Sequence, residues 1–302
     1  MTHSHAPLIG IDWGTSNRRA YLLDQDGKLI KQHIDDKGIL KVAGDFKSAV
    51  AELLQMWSLD TANVIMAGMV GSRNGWCEVP YLDSTYPLRQ LPQAMLELDN
   101  ALTGLPGVRC RIVPGYRHDD PDGQPDVMRG EETQAFGVLM LGAPDGWMVL
   151  PGTHSKWLRV AEGKVVELMT FMTGELYALL SQHGTLASLM GARVEDDAAF
   201  QRGMRAAQSG TLTHTLFTCR ALVVTNTMPA SEAASYLSGL LIGSELHDIR
   251  RRTSQLSTQQ VHIIGASHLA GRYAEALGFF DISSRAWQPD EVFLAALRAL
   301  AA

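Results

Sequence analysis

Two short polar stretches of the sequence combine glycine with side chains that carry hydroxyl, amide or imidazole groups. Each is expected to form a turn between two strands, and such a turn can aim several backbone N–H groups at one point. Glycine lets an anion approach this backbone closely. One such turn is typical of an ordinary hairpin, but two in equivalent places favour the binding of a polyphosphate. The residues are Gly14, Thr15, Ser16 and Asn17 in the first turn and Gly152, Thr153, His154 and Ser155 in the second.

Charged residues flank both turns. Asp12 stands at the end of the strand before the first turn, where a carboxylate can hold Mg²⁺, usually through water. Lys156 directly follows the second turn. His154 can donate to a phosphate oxygen, although a lone histidine more often has a structural role. We therefore expect the two turns to contact one bound triphosphate from opposite sides.

The hydrophobic pattern predicts the strands that position these turns. Residues 8–12, 19–24 and 28–34 are expected to form a meander, with Asp26 and Gly27 in a tight hairpin connection. The order of strand, polar turn, strand, hairpin and strand recurs over residues 147–170. This recurrence of pattern, without a repeat of individual residues, predicts a duplicated architecture.

A length of 302 residues favours two lobes, each with its own core. The polar segment 115–126 is rich in glycine, proline and aspartate, and it is the predicted boundary loop between the lobes. We expect an N-terminal lobe of residues 1–127 and a C-terminal lobe of residues 128–302. This division leaves open that the last helix packs on the N-terminal lobe.

Helical spacing and capping residues predict most of the remaining elements. Asp45 is expected to cap a helix that ends near Trp57. Strands are predicted at 63–67, 108–113 and 261–264. Helices are predicted at 131–141, 195–208, 212–222 and 231–252, with one from about Ser267 to Leu277, a last one capped near Asp290, and a weak one at 92–103.

Composition excludes several classes of protein. The chain is 46% hydrophobic and 19% charged, which is typical of a globular protein and not of a disordered one. A net charge of −6 argues against a nucleic-acid surface, and no apolar run is long enough to span a membrane. Residues 1–7 lack the pattern of a signal peptide, and the three cysteines do not form a CxxC pair, so a cytoplasmic location is expected.

Five motifs together resemble those of the actin-like ATPase superfamily, which includes sugar kinases, and within it the 2-dehydro-3-deoxygalactonokinase family. They are IDWGTS at 11–16, GMVGSRNGW at 68–76, MRGEETQ at 128–134, LPGTHSK at 150–156 and LSGLLIG at 237–243. The resemblance implies an α/β, two-lobed, ribonuclease H-like fold, in which each lobe has a mixed sheet with an antiparallel three-strand meander flanked by helices. It also implies ATP-dependent phosphorylation, with Mg²⁺, of the terminal hydroxyl of 2-dehydro-3-deoxy-D-galactonate.

One position departs from the superfamily pattern. The second phosphate turn of the superfamily commonly begins with aspartate, whereas Pro151 stands at that place here. One carboxylate directed at the metal is therefore missing. Asp12 is left as the candidate metal contact.

The resemblance also suggests a general base. Phosphoryl transfer to an alcohol needs a carboxylate near the attacking hydroxyl, and related kinases place it at the start of the helix that joins the lobes. Glu131 is the candidate here, with Glu132 and Asp126 as alternatives. A carboxylate at this position would also favour the N-terminus of the helix without any catalytic role.

Further candidates would bind the sugar acid and the adenine. Ser72, Arg73 and Asn74 follow the strand at 63–67, where related kinases contact substrate, and Trp76 would either cover the sugar acid or pack in the core. Arg129 would bind the carboxylate or form an interlobe salt bridge, and Glu175 would bind substrate or favour a helix N-terminus. The sugar-acid candidates are Ser72, Arg73, Asn74, Trp76, Arg129, Thr173 and Glu175, and the adenine candidates are Gly265, Ala266 and Ser267.

Two other functions remain as alternatives. A dinucleotide-dependent oxidoreductase requires a GxGxxG turn between a strand and a helix, which residues 10–23 lack. A non-catalytic nucleotide-dependent sensor on the same scaffold would not need Glu131 or the Ser72 to Asn74 cluster. The sequence separates neither the galacto from the gluco epimer nor a monomer from a homodimer.

Overall fold

The computed structural model describes residues 6–102, 104–192, 194–253 and 255–302. The strands in these ranges are β1 Leu8–Trp13, β2 Arg18–Leu23, β3 Leu29–Asp35, β4 Ala62–Gly68, β5 Leu82–Asp83, β6 Leu96–Leu98, β7 Val108–Ile112, β8 Tyr116–Asp119, β9 Pro125–Met128, β10 Trp147–Leu150, β11 Ser155–Ala161, β12 Lys164–Phe171, β13 Val261–Ile264 and β14 Ser284–Trp287.

The α-helices in the same ranges are α1 Ile39–Val42, α2 Phe46–Trp57, α3 Glu131–Met140, α4 Thr173–Gln182, α5 Gly184–Ala187, α6 Asp197–Ala207, α7 Leu212–Val224, α8 Ala233–Arg252, α9 Ser267–Phe279 and α10 Pro289–Ala301. Short 3-10 helices lie at Met69–Gly71, Leu88–Ala94, Ala230–Glu232 and Gln255–Thr258. Among the described helices, none is both long enough and apolar enough to cross a bilayer.

The described chain divides into two compact units. The first unit contains the residues up to Asp145 together with Arg159–Leu168 and Pro289–Ala302. The second unit contains Gly146–Leu158 and Met169–Gln288. Each unit has its own buried apolar cluster.

A six-stranded mixed sheet forms the centre of the first unit. Its order is β3-β2-β1-β4-β7-β6, with β1, β4 and β7 parallel to one another. The meander predicted from the sequence is confirmed, because β2 pairs antiparallel with both β1 and β3. Ile9, Ile11 and Trp13 alternate along β1 and lie in the core cluster that includes residues of α2. Parallel β1 and β4 therefore end together at one edge of the sheet.

The strand order of the five-stranded sheet repeats this arrangement. It runs β12-β11-β10-β13-β14, and β10, β13 and β14 are parallel. The first four strands thus follow the order β3-β2-β1-β4 of the other sheet. The duplicated architecture is confirmed at the level of topology.

Helices α6 and α8 of the second unit are in backbone contact. A Cβ atom at Gly239 of α8 would lie 1.9 Å from the carbonyl oxygen of Phe200, and one at Gly203 of α6 would lie 2.1 Å from that of Tyr236. Only glycine permits this approach, which brings Leu237 and Leu240 into a buried cluster with Ala199 and Ala207.

Two sequence-based expectations are wrong. Segment 115–126 is largely the β8 and β9 hairpin and not a loop. At its tip Gly123 has φ +77°, and Asp120 accepts from the N–H groups of Asp122 and Gln124. These strong turn residues concealed the two short strands in the sequence. The helix expected at 92–103 is replaced by the end of a 3-10 helix and by β6, which pairs antiparallel with β7. Thr103 lies outside the described residues.

Other differences concern element ends and short elements. Asp290 lies in the first turn of α10, which begins at Pro289, a favoured first helical residue. Helix α8 begins at Ala233 after a 3-10 turn, and α6 begins after Asp196, which caps it by accepting from the N–H of Ala199. The sequence did not predict β5, β14, α1 or α5.

Replacing Gly239 should destabilise the fold. In Gly239→Ala the new methyl group meets the Phe200 carbonyl, so α6 and α8 must separate, and we expect a loss of at least about 2 kcal/mol. Gly271→Ala in α9 is the matched control, because nothing lies within 4 Å of the added Cβ and alanine favours the helix by roughly 0.5–1 kcal/mol. Urea denaturation followed by tryptophan fluorescence measures both. A Gly239→Ala protein as stable as the wild type would contradict this packing.

Candidate functional site

The first turn, residues 14–17 between β1 and β2, is anchored on both sides. The N–H of Gly14 donates to the carbonyl oxygen of Asn17 at 2.9 Å. The indole N–H of Trp13 donates to the Lys37 carbonyl at 2.8 Å, and the buried Arg18 guanidinium donates to Asp35 and to the Ala49 carbonyl. The turn is therefore held by neighbours at its two ends.

The N–H groups at the tip of this turn are free. Thr15, Ser16 and Asn17 are exposed, and within the described chain their backbone N–H groups have no backbone acceptor. The carbonyl groups of Gly14 and Thr15 do accept, from Ile39 and Leu40 of α1. The turn thus keeps donors available for an anion.

Asp12 lies at the end of β1, with a quarter of its side chain exposed. Its carboxylate accepts from Arg19 Nη1 at 3.3 Å, and Arg19 is its cross-strand partner on β2. Burial raises the pKa of Asp12, the Arg19 charge opposes this increase, and the charge of Asp290 adds to it. A divalent cation near Asp12 would favour the ionised form.

The residues around Asp12 fit Mg²⁺ only if phosphate oxygens and water complete its coordination. The described residues contain no group of three or more histidine, cysteine, aspartate or glutamate side chains arranged for a metal. Mg²⁺ is commonly held by one or two carboxylates with phosphate oxygens and water. Asp12 beside the free N–H groups of the turn is compatible with that mode.

Three backbone segments meet at the end of β1 because two glycines allow it. Gly68 ends β4 with φ +88°, and a Cβ there would lie 2.7 Å from the Trp13 carbonyl oxygen. Gly130, with φ +110°, precedes α3, and a Cβ there would lie 3.2 Å from Gly68 Cα. The N-terminus of α3 is thereby placed next to the ends of β1 and β4.

Two adjacent glutamates at the start of α3 differ in their environment. Glu131 is partly exposed and accepts from the Arg129 N–H at 2.9 Å. Glu132 is fully buried and accepts from the Gly130 N–H at 2.7 Å and from the Thr133 hydroxyl at 3.1 Å. Burial, with the charge of Glu131, raises the pKa of Glu132 to about 8. Asp126, the third candidate base, lies on β9, opposite His118.

Arg129 has buried N–H groups that lack acceptors. Its Nη2 donates to the Val79 carbonyl at 2.7 Å, and its guanidinium lies 4.2 Å from the centre of the Tyr81 ring. Nε and Nη1 are buried and have no hydrogen-bond partner in the part of the chain that the structure describes. An unpaired buried donor is costly, so an acceptor from outside the described chain is expected here.

The loop after β4 contains the other sugar-acid candidates of the first unit. The Ser72 hydroxyl donates to the Met69 carbonyl at 2.7 Å, and the Gly75 N–H donates to Ser72 at 2.8 Å. Arg73 and Asn74 are exposed at the tip of the loop. Trp76 stacks on Phe46 with ring centres 6.3 Å apart, so one face of its ring packs against the core.

The second turn, residues 151–155 between β10 and β11, is joined to the start of α4. The Glu175 N–H donates to the Thr153 carbonyl at 2.9 Å, and a Cβ at Gly174 would lie 2.2 Å from the Gly152 carbonyl oxygen. Glu175 also pairs with His154 across 2.6 Å. Of the described residues, none offers a backbone acceptor to the N–H groups of Gly152, Thr153 or His154. This turn therefore also keeps free donors.

Other predicted residues of the second unit lie near this turn. Lys156 is buried on β11, and its ammonium group forms no ion pair within the described ranges. Gly265 follows β13, and a Cβ there would lie 3.3 Å from Pro151 Cδ. Ala266 and Ser267 are exposed, and the Ser267 hydroxyl lies 3.5 Å from Gln288 Oε1.

Glu245 of α8 was missed by the sequence analysis. Its buried carboxylate accepts from the side chains of Ser155, Trp157, Thr173 and Tyr273. Burial raises its pKa, while these hydrogen bonds oppose the increase. The available signal was its spacing, because Leu241, Glu245 and Ile249 follow at i, i+4 and i+8 and all three are buried. A carboxylate on an apolar helix stripe requires partners.

Comparison with known proteins assigns the chain to a family. The model of the family described as 2-keto-3-deoxy-galactonokinase matches residues 12–300. The 2-dehydro-3-deoxygalactonokinase of Escherichia coli (strain K12) is 33% identical over 300 residues, which cover 98% of each chain.

Solved structures agree with this assignment. A protein from Sinorhizobium meliloti that carries the 2-dehydro-3-deoxygalactonokinase name provisionally has a TM-score of 0.87 and 31% identity, covering 97% of this chain and 95% of its own. Component A of (R)-2-hydroxyglutaryl-CoA dehydratase from Acidaminococcus fermentans has a TM-score of 0.51 at 10% identity, covering 99% and 98% of the two chains, and this likeness concerns the fold alone. The predicted α/β fold with mixed sheets is confirmed. With a family match from Asp12 to Leu300, this chain belongs to the 2-keto-3-deoxy-galactonokinase family.

Proposed function

We propose that this protein transfers the terminal phosphoryl group of ATP to the C6 hydroxyl of 2-dehydro-3-deoxy-D-galactonate, as a step of galactonate catabolism. The observation that carries this proposal is the family match over residues 12–300. The free N–H groups of two separate turns support the use of a polyphosphate, because such groups bind anions. The unpaired N–H groups of Arg129 support an acidic acceptor substrate.

The residues at the end of β1 and the start of α3 would carry the chemistry. Glu131 would take the proton of the attacking hydroxyl as that oxygen bonds to phosphorus and ADP leaves. Asp12, with phosphate oxygens and water, would hold Mg²⁺, which supplies charge stabilisation when bound. In the turns at 14–17 and 152–155, the phosphates would accept from the N–H groups of residues 15–17 and 152–154, with the side chains of His154 and Lys156 as further donors.

The sugar acid would be bound by residues of the first lobe together with Arg129 at the start of the second. Arg129 would bind the carboxylate in a forked geometry, and Ser72, Arg73 and Asn74 would bind its oxygen atoms. Trp76 would contact it with the ring face that does not stack on Phe46, and Thr173 and Glu175 are proposed additional contacts. We propose residues 1–127 as the sugar-acid and phosphate lobe and residues 128–302 as the nucleotide lobe, in which Gly265, Ala266 and Ser267 would contact the adenine.

A coupled assay of ADP release tests the proposed function directly. With ATP and Mg²⁺ present, we expect ADP release to require a 2-keto-3-deoxy sugar acid and to be highest with the galacto epimer. The gluco epimer and simple hexoses serve as comparison substrates in the same assay. The proposal would be contradicted if ADP release did not depend on a sugar acid, or if hexoses stimulated it as strongly as sugar acids do.

Glu131→Gln tests the general base. We expect kcat to fall by roughly 10²–10⁴, the usual contribution of general-base catalysis, with ATP binding unchanged. Glu132→Gln is the matched control, since a pKa of about 8 leaves Glu132 mostly protonated at neutral pH and glutamine resembles that form. Steady-state kinetics and nucleotide titration measure both variants. Near-normal turnover of Glu131→Gln would remove Glu131 from this role.

Arg129→Met tests the carboxylate contact. Loss of charged hydrogen bonds should raise the KM for the sugar acid by about 10–100-fold and leave the KM for ATP unchanged. The removal of two buried nitrogen atoms without partners in the described chain should offset the loss of the Val79 hydrogen bond, so the melting temperature should change little. If Arg129 only formed a structural salt bridge and did not bind substrate, the variant would have a lower melting temperature and an unchanged KM for the sugar acid.

A further inference from the structure

The carboxylate of Glu245 accepts hydrogen bonds from four side chains inside the second unit. Oε1 accepts from the Ser155 hydroxyl at 2.8 Å and from the Trp157 indole N–H at 2.6 Å. Oε2 accepts from the Tyr273 hydroxyl at 2.9 Å and from the Thr173 hydroxyl. An ionised carboxylate can accept about four hydrogen bonds, so both oxygens are saturated.

These donors connect elements that are distant in sequence. Ser155 is the last residue of the second turn, and Thr173 is the first residue of α4. Trp157 lies further along β11, and Tyr273 lies on α9. The carboxylate is carried by α8 and only 2% of the residue is exposed, so a phosphate does not reach it without rearrangement.

The second turn and the start of α4 depend on each other's position. Gly174 packs directly on the Gly152 backbone, and the Glu175 N–H donates to the Thr153 carbonyl. A shift of α4 would therefore change the direction of the free N–H groups of the turn. The Glu245 carboxylate connects the second turn to α4, because it accepts from Ser155 of the turn and from Thr173 of the helix.

We infer that Glu245 is a positioning residue, which sets the geometry in which the second turn binds the nucleotide phosphates. This inference rests on the proposed function, since it requires that the turn binds a nucleotide. Pro151 leaves the turn without a carboxyl group of its own, and Glu245 places a carboxyl group behind the turn instead. At that position the carboxyl group orders the side chains that donate to it, and these hydrogen bonds offset part of the cost of its burial.

Glu245→Gln tests the inference through nucleotide affinity. An amide keeps one acceptor oxygen, and its NH2 group can only donate, so the hydroxyl groups that it faces must turn to accept and the carboxylate charge is lost. Isothermal titration with Mg²⁺ and the non-hydrolysable analogue β,γ-imido-ATP should give a Kd raised at least about tenfold. The KM for ATP should rise in parallel.

Ser235→Ala is the matched control in the same helix. The Ser235 hydroxyl is buried, donates to the Val194 carbonyl at 3.2 Å and accepts from the Asp196 N–H at 3.1 Å. Its loss should lower the melting temperature without changing the Kd for the analogue. A similar loss of affinity in Ser235→Ala and Glu245→Gln would mean that general destabilisation explains the effect, and would overturn the inference.

Two further variants keep the test decisive if Glu245→Gln folds poorly. Ser155→Ala removes one link between the turn and the carboxylate, and we expect a Kd raised about 3–10-fold. Glu245→Ala should regain part of its affinity when formate is added, because Glu245 lines a cavity of about 640 Å³ that also borders Thr173. Wild-type affinity in Ser155→Ala together with no response to formate would overturn the inference.

Failure of the inference and failure of the proposed function give different results. If the wild type phosphorylates the sugar acid and Glu245→Gln binds the analogue equally well, the inference alone fails. If the wild type does not bind the analogue, the proposed function fails, and the inference fails with it.

Discussion

The candidate site depends on backbone N–H groups that have no acceptor among the residues that the structure describes. Such groups lie at the tips of the turns at 14–17 and 152–155, while the carbonyl groups of Gly14, Thr15 and Thr153 are bonded to neighbouring segments. A backbone donor costs free energy unless water or a ligand satisfies it. A turn that is held through its carbonyl groups can keep its donors outward, which is the arrangement that an anion requires.

Glycine makes this arrangement possible by allowing backbone segments to touch. Gly68 and Gly130 bring the end of β1 and the start of α3 together in the first unit. Gly174 does the same for the second turn and α4 in the second unit. Any larger side chain at these three positions would separate a turn or a strand end from the helix that carries the neighbouring candidate residues.

Buried ionisable groups show two opposite solutions to the cost of desolvation. Glu245 accepts from four donors, and Glu132 accepts from Gly130 and Thr133, so the chain itself supplies hydrogen bonds to both buried carboxyl groups. Arg129, in contrast, keeps two buried nitrogen atoms without a hydrogen-bond partner among the described residues. A saturated buried group holds structure, whereas an unsaturated one indicates a missing partner.

The sequence by itself determined the meander, its recurrence, the family and the position of the two turns, because these depend on local periodicity, turn residues and motif order. It misjudged residues 115–126, where strong turn residues at the tip of the β8 and β9 hairpin concealed two short strands. Only the tertiary structure distinguished Glu131 from its buried neighbour Glu132, showed Trp76 stacked on Phe46, and revealed the unpaired groups of Arg129. Glu245 remained unseen for the same physical reason: its partners come from β11, α4 and α9, and hydrogen bonds between segments so far apart in sequence leave no periodic pattern.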